Sequence, residues 1–501
     1  VHDGGTGLYT GRAGIFCRGT YRGKGIGTVT YDVIIIGGGL AGIFAGYELV
    51  TRQPSLRVAL LEQGHVIGQR SCPIISGKTR QCIHCPTCAI MRGFGGAGAF
   101  SDGKFNFTTQ FGGWLNEYRS DQEVMDLIEY VDAVNQKFGA TEHAYSTHTA
   151  EADKIRRKAI GFDLHLLDAR CKHLGTERNR EILAAQADYL GERLDLLCRT
   201  EVLSIDPDGA DGYRLATSRG DMACRYLVAA PGRSGAEWFS DQCRRLKLDL
   251  INNQVDIGVR VELPAIVFQE ITDAVYEAKL HYRTRQYKDS VRTFCMNPYG
   301  YVVTENTDGI LTVNGHSYTD PALRSENTNF ALLVSNRFTQ PFREPYQYGK
   351  RIASLSNMLG GGVLVQRYGD LLSGQRTNEH RLSQSFVTPT LEATPGDLSL
   401  VLPKRHLDNI LEMIATLDKL APGTANPDTL LYGVEVKFYS SRLQLTSELE
   451  TKLPNFFAVG DGAGITRGLS QAGASGVLAA RSILKRTGAA GEEPQNSPPE
   501  K

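Results

Sequence analysis

Three glycines and one acid carry the clearest chemistry in this 501-residue chain. Gly37, Gly39 and Gly42 stand in the spacing G-x-G-x-x-G, after the apolar run Val33–Ile36 and before a helical pattern that opens at Ile43. A short β-branched run of this kind reads as a buried parallel strand. Gly37 then makes the tight turn, Gly39 lets the backbone approach a pyrophosphate, and Gly42 lets the helix pack closely on the strand. The phosphate sits at the helix N-terminus. A second strand, Arg57 to Leu61, ends in Glu62, twenty residues past Gly42, where an acid accepts hydrogen bonds from a ribose. Strand, triplet, helix, strand and acid together predict a dinucleotide cradle.

Four cysteines follow in a glycine-rich connection. Cys72, Cys82, Cys85 and Cys88 have the spacing C-x9-C-x2-C-x2-C. Four thiolates suit a tetrahedral zinc or an iron–sulfur cluster. C-x-x-C pairs also suit thiol redox exchange, and plain buried cysteines are a third reading. The other six, Cys17, Cys171, Cys198, Cys224, Cys243 and Cys295, are scattered and read as structural. Gly93-Phe-Gly-Gly-Ala-Gly-Ala-Phe-Ser-Asp-Gly-Lys104 comes next. So many glycines imply backbone lying close to something flat or charged, and loops this long are usually functional.

A third candidate group lies in Tyr432-Gly-Val-Glu-Val-Lys-Phe-Tyr439, which alternates as a strand. Val434, Val436 and Phe438 face one side, and Glu435, Lys437 and Tyr439 the other. A proton must move when a hydride does, so an ionisable group is needed beside the reacting centre. Lys437 is the candidate, with Tyr439 a partner and Glu435 orienting Lys437. The competing reading is an exposed strand face with a cross-face Glu–Lys pair. His316, in Asn314-Gly-His-Ser317, is the alternative proton donor.

The elements that must position these groups follow from periodicity. Helical spacing runs from Val124 to Phe138 and is stopped by Gly139, and a second helix covers Arg178 to Leu190. The period then changes to two. Glu201–Ile205, Tyr213–Thr217 and Ala223–Ala230 read as a three-stranded meander with Pro-Asp-Gly and Arg-Gly turns. A meander inserted after a first nucleotide-binding unit is typical of FAD domains. The stretch 251–433 reads as a separate substrate domain with alternating strands and two helices. The chain then returns in Phe456-Phe-Ala-Val-Gly-Asp461-Gly, a strand ending in an acid, followed by a helix from Ser470 to Leu484. Asp461 can hold the ribityl and pyrophosphate region. The helix N-terminus can face the flavin N1–C2=O edge, where negative charge builds on reduction.

Composition bounds the classes. Lys plus Arg equals Asp plus Glu, 55 each, so no global field favours nucleic acid or an anionic membrane. The most apolar window, Val33–Val50, is broken by glycines and contains Glu48, so no membrane span is expected. Ten cysteines in a chain of this length do not suggest a secreted disulfide scaffold, and a reducing cytoplasm is the simplest home. A small-molecule substrate is the expected partner. The expected division is a flexible arm (1–30), cofactor domain (31–117), helical insertion (118–195), cofactor domain (196–250), substrate domain (251–433), cofactor domain (434–486) and disordered tail (487–501).

With these motifs in place, the chain resembles a family of FAD-dependent dehydrogenases of uncertain substrate, within the glutathione-reductase-like, p-hydroxybenzoate-hydroxylase-like flavoprotein fold. The resemblance rests on Gly37–Gly42, Gly95–Lys104, Val255-Asp-Ile-Gly-Val-Arg260, Tyr432–Tyr439 and Gly460-Asp-Gly-Ala-Gly464. It implies an α/β Rossmann-like FAD-binding domain with an inserted meander and a discontinuous α+β substrate domain. It also implies non-covalent FAD and a redox reaction. FAD contacts are then expected at Gly37, Gly39, Leu40, Ala41, Gly42, Glu62, Gln63, Gly96, Gly98, Ser101, Val202, Gly232, Gly460, Asp461, Gly468, Leu469 and Ser470.

There is no second strand–G-x-G-x-x-G–helix unit, so NAD(P)H enters only as an external donor. Flavin hydroxylases of the fold usually carry an Asp-Gly pair after the meander. This chain has Ala230-Pro-Gly-Arg-Ser234 there, which weighs against a monooxygenase and keeps it as an alternative. A tRNA-modifying or non-catalytic flavoprotein is the third class, and the balanced charge weighs against RNA.

Overall fold

The structure, a computed structural model, describes residues 28–79, 82–251, 253–307, 309–336, 345–437 and 442–488. Most of the expected N-terminal arm, nearly all of the expected C-terminal tail, Cys17 and the candidate Tyr439 lie outside the described residues.

The first apolar run forms Val29–Ile36, an inner strand of a seven-stranded sheet. It pairs in parallel with Val58–Glu62 on one side and with Met222–Ala229 on the other. Asp195–Cys198 adds a parallel strand beside Val58–Glu62. Met222–Ala229 serves two partners along its length. Its first half pairs antiparallel with the meander, whose strands are Val202–Asp208 and Gly212–Thr217, and its second half pairs in parallel with Phe456–Ala458. This is the Rossmann-like sheet with inserted meander that the period change predicts.

Two helices pack beside that sheet, Leu40–Arg52 and Leu469–Arg486. They approach through small residues. A Cβ at Gly476 would lie 2.0 Å from the Ala41 carbonyl oxygen, and one at Gly42 would lie 2.0 Å from that of Gly37. Glu48, which breaks the apolar window in the sequence, is fully buried between them and ion-paired with Arg52 at 2.7 Å and Arg481 at 2.8 Å. Among the described residues no helix is long and apolar enough to cross a membrane.

A second, eight-stranded sheet is built mainly from residues 255–437. Val255–Pro264 lies inside it, between Asn327–Asn336 and Leu430–Lys437. Its odd-numbered residues, Val255, Ile257, Val259, Val261 and Leu263, pack with helices Ala265–Val275 and Lys404–Leu420. Its even-numbered residues Asp256, Arg260 and Glu262 are equally buried on the opposite face. On that side a hairpin, Tyr301–Thr307 with Ile310–His316, closes over the sheet.

Two details differ from the division expected from sequence. The stretch 118–195 is helical at Asp121–Lys137, Ala150–Ile160 and Thr176–Gly191, but Leu164–Leu166 joins the second sheet as its edge strand, beside Leu280–Tyr282. The last strand of the second sheet also runs on through Lys437, paired with Val255–Pro264, past the expected return at 434. Strand pairing decides both cases, and pairing partners such as Leu166 with Leu280 or Asp256 with Lys437, far apart in the chain, are invisible to a local period.

The helix Lys404–Leu420 carries an acid-sensitive group. His406 is buried with neither ring nitrogen hydrogen-bonded among the described residues, and burial lowers its pKa to about 4. A base whose folded pKa is depressed binds protons more readily when unfolded. Stability is therefore complete above the ordinary value near 6.5 and falls as pH drops toward 4, by about 1.4 kcal/mol per pH unit for such a group. In urea titrations between pH 6 and 5, His406→Leu is expected to flatten this slope by that amount. An unchanged slope would show that His406 gains no proton on unfolding.

Candidate active site

The two sheets and the hairpin enclose a cavity of about 1100 Å³, larger than the roughly 300–1,000 Å³ usual for a small ligand. Its floor is the glycine cradle. Leu40–Arg52 begins at Gly39 with no side chain capping its first amides, and Leu469–Arg486 begins in the same way at Gly468. Gly39, Leu40, Ala41, Gly468 and Leu469 all line the cavity. Uncapped amides at a helix start favour negative charge. A Cβ at Gly39 would meet no atom within 4 Å, so the chain leaves open the space where a pyrophosphate must come close.

Gly96, Gly98 and Ser101, from the turn Gly96–Phe100 and its end, line the cavity next to this cradle, a Cβ at Gly96 lying 3.2 Å from Gly39 Cα, and Gly232, Gly460 and Asp461 line it as well. Asp461 accepts a hydrogen bond from Thr466 Oγ1 at 2.7 Å. Burial pushes its pKa up, opposed chiefly by the charge of Arg233. Two uncapped helix starts, an open glycine and a buried acid fit the diphosphate, ribityl chain and flavin edge of FAD.

The remaining expected contacts sit off this cavity. Glu62 stands at the strand end, but its carboxylate already accepts three backbone amides, from Gly38 (2.8 Å), Gly64 (2.7 Å) and Gly93 (2.9 Å). A carboxylate has about four lone-pair sites, so capacity for a ribose hydroxyl is left. Gln63 donates to Glu201 at 2.9 Å, and Val202 is buried in the core of the cofactor unit. Gly37 and Gly42 act through packing, and Ser470 is buried in the first turn of its helix.

Lys437 lines the cavity, and its ammonium lies 2.8 Å from Glu435 Oε1. The strand face is not exposed, as the competing reading had it. Glu435 is fully buried and its other oxygen accepts from Arg260 Nε at 3.0 Å. His316 lies on another wall, stacked on Tyr301 and edge-on to Tyr318, with burial lowering its pKa.

The sequence reading did not single out a second charged group that the fold assembles here. Lys104 lies 2.8 Å from Asp102 and 3.6 Å from Glu277, and Lys279 pairs with Glu277. All four are buried and line the cavity. Burial opposes charge on Glu277, but Lys104 and then Lys279 outweigh it and hold its pKa at about 2. Burial lowers Lys279, whose ammonium sits 3.8 Å over the Phe294 ring centroid. The local sign of this group is Glu277-Ala-Lys279, an acid and a base two residues apart just before the strand Leu280–Arg283.

Cys72, Cys82, Cys85 and Cys88 are free, half-buried thiols. Among the described residues no three His, Cys, Asp or Glu side chains are placed to hold a metal ion, so the four-thiolate centre suggested by the spacing is not assembled.

A family model described as FAD dependent oxidoreductase matches residues 32–338. The chain belongs to that family. It is an FAD-dependent oxidoreductase, and residues 254–438 also match a model described as FAD-dependent protein, C-terminal domain-like. No curated protein matches. Solved structures of similar fold include glycine oxidase from Geobacillus kaustophilus (14% identity, 91% of this chain and 95% of that one, TM-score 0.37). L-proline dehydrogenase from P. horikoshii (12%, 92% and 94%, 0.40) is another. So is PqsL, a probable FAD-dependent monooxygenase from Pseudomonas aeruginosa (11%, 92% and 88%, 0.40).

Proposed function

We infer that this oxidoreductase is a dehydrogenase or reductase passing a hydride between a small organic substrate and flavin N5, with Lys437 as the proton-handling group. The observation that carries the reading is the continuity of one cavity from the glycine cradle, past Asp461 and the start of the helix at Gly468, to Lys437. Bound there, FAD would supply the two-electron chemistry. The chain's part is to hold it and exclude water. Gly39, Gly96 and Gly98 fit its diphosphate, Asp461 its ribityl chain, and the amides after Gly468 its pyrimidine edge. Glu435, fixed by Arg260, orients Lys437; Tyr439, the partner suggested by the sequence alternation, lies outside the described residues. Phe294 and the Lys279–Glu277 pair line the space left for the substrate. The buried cysteines Cys171, Cys224 and Cys243, none of them in a disulfide, suit a reducing cytoplasm.

Anaerobic mixing of the purified yellow protein with NADH and NADPH, and then with candidate reductants, tests the reading through bleaching of the flavin band. A colourless protein that takes up no FAD would sink it. With any reductant found, Lys437→Met is expected to slow flavin reduction by about 10²-fold or more, the range for loss of an acid–base group. If reduction and its pH dependence match the parent while FAD stays bound, the lysine is structural and His316 is next.

A further inference from the structure

The cavity changes character along the covering hairpin. Near the hairpin's base, where Val302 faces Gly315, a Cβ at Gly315 would lie 2.4 Å from Asn297 Nδ2 and 2.6 Å from the Arg260 guanidinium. Asn297 Oδ1 accepts from Lys104 Nζ at 3.2 Å, so this end meets the buried Lys104–Asp102–Glu277–Lys279 group. Asn306 faces Leu311 four residues further along the strand, which is about 13 Å away at the usual rise of a strand. At that outer pair three segments meet. Asn306 Nδ2 lies 3.3 Å from Cys82 Sγ and 3.2 Å from His84 Nδ1, which joins the cysteine-rich loop to the hairpin. Asn357, near the end of helix Pro345–Gly360, donates to the Leu311 carbonyl at 2.8 Å and accepts from the Leu311 amide at 2.7 Å.

These same segments supply an aliphatic wall. Ile74 and Ile75 of the loop, Leu311 of the hairpin and Val363 after the helix all line the cavity. Ile75 is also 57% exposed, so it stands at the mouth. Ile83 (57% exposed) lies between the lining residues Cys82 and His84, and Met358 (72%) and Leu359 (45%) directly follow Asn357. Exposed apolar side chains grouped at the mouth of a cavity mark a binding surface. Glu305, between the two ends, is already bonded to Asn314 at 2.6 Å and paired with Arg233 at 3.9 Å.

We propose that the substrate is an amphiphile, with its polar, reacting head beside Lys437 and the buried charged group and its aliphatic chain running along the hairpin to leave through this rim. The proposal rests on the oxidoreductase reading only for the place of the head. Burial of the chain supplies affinity without direction, and the few polar contacts at the head set which carbon is presented. A short polar substrate would use the charged end alone and leave the aliphatic wall and its exposed rim without a partner.

The test is calorimetric titration of the holoprotein with 1-butanol, 1-hexanol and 1-octanol, uncharged probes that read the chain's path apart from the head. Each added methylene is expected to tighten binding about two- to fourfold, the upper figure being full burial. Gly362→Leu adds a side chain where only Leu311 Cδ1 stands within 4 Å, at 3.5 Å, on the cavity wall. That variant is expected to keep FAD and to bind 1-octanol no more tightly than 1-butanol. Ile75→Glu, at an exposed position that the fold tolerates, is expected to weaken 1-octanol more than 1-butanol, which reads the path even if Gly362→Leu folds poorly. Affinity that is independent of chain length in the parent overturns the proposal, as does a chain-length dependence that survives unchanged in both variants. Protein that holds no FAD sinks the cofactor reading instead, and the alcohol series still reports on the aliphatic wall, which the chain itself supplies.

Discussion

Gly37→Ala is expected to yield protein that neither binds FAD nor stays folded at moderate temperature, whereas Gly39→Ala should fold normally and lose only the cofactor. The two glycines sit two residues apart, yet their surroundings differ. Gly37 has φ +103°, where an L-residue is strained, and its Cβ would lie 2.1 Å from the Ala230 carbonyl oxygen. That oxygen belongs to the backbone just past the strand Met222–Ala229, which pairs with both Val29–Ile36 and Phe456–Ala458, so it has nowhere to move. Strain at such a φ costs about 1–3 kcal/mol, and overpacking about 1–3 more. The sum approaches the whole stability of an ordinary domain, about 5–15 kcal/mol. At Gly39 the same methyl meets no protein atom within 4 Å, so its only cost falls on the diphosphate that needs that space. Thermal unfolding separates the two. The Gly39→Ala midpoint should match the parent without FAD, and the Gly37→Ala midpoint should fall well below it. Equal midpoints would mean that the strand–turn geometry at Gly37 relaxes freely.

This difference also shows what could be read from the sequence and what could not. The cradle was legible because strand, turn and helix start are consecutive, so the spacing of Gly37, Gly39 and Gly42 alone fixes which backbone turns and which approaches the ligand. Asp461 was legible for the same reason, as an acid closing an apolar run. The burial of Glu435 and Lys437 was not. Alternation tells that two faces differ, and a polar face is normally exposed. Here the polar face meets Asp256, Arg260 and Glu262 of the neighbouring strand and is covered by a hairpin. The partners are some 175 residues apart for Arg260 and Glu435, and no local period encodes them. The Asp102–Lys104–Glu277–Lys279 group was missed because it takes two residues from each unit of the chain, and neither pair is distinctive alone. The cysteine spacing pointed to a metal because spacing counts ligands. It carries no information on whether a loop turns the four sulfurs toward one point.

The buried ion pair under the candidate lysine should dominate the stability of the second unit. Arg260 is fully buried. It donates to Glu435 Oε2 at 3.0 Å, to the Cys295 carbonyl at 2.9 Å and to Asn329 Oδ1 at 3.3 Å. Cys295 adopts φ +47° beside Phe294 on the cavity wall, so Arg260 braces both the carboxylate next to the candidate Lys437 and the strand Ser290–Asn297 that lines the cavity. Removing one partner of a buried pair typically costs about 3–5 kcal/mol, because the other is left charged in a low dielectric. Arg260→Leu should therefore lower urea-unfolding stability by that amount. Part of the loss should return in the Arg260→Leu, Glu435→Leu double variant, since apolar replacement of both partners is often neutral. Arg285→Leu serves as the control. Its pair with Asp163 spans 3.1 Å with both side chains about 70% exposed, and such pairs contribute about 0–1 kcal/mol. Lys437 is the one group that could soften the effect, since its ammonium also touches Glu435. A loss below about 1 kcal/mol for Arg260→Leu would mean that Lys437 alone neutralises the carboxylate. In that case the lysine is held as a structural counter-ion, and its proton is not free to move during catalysis.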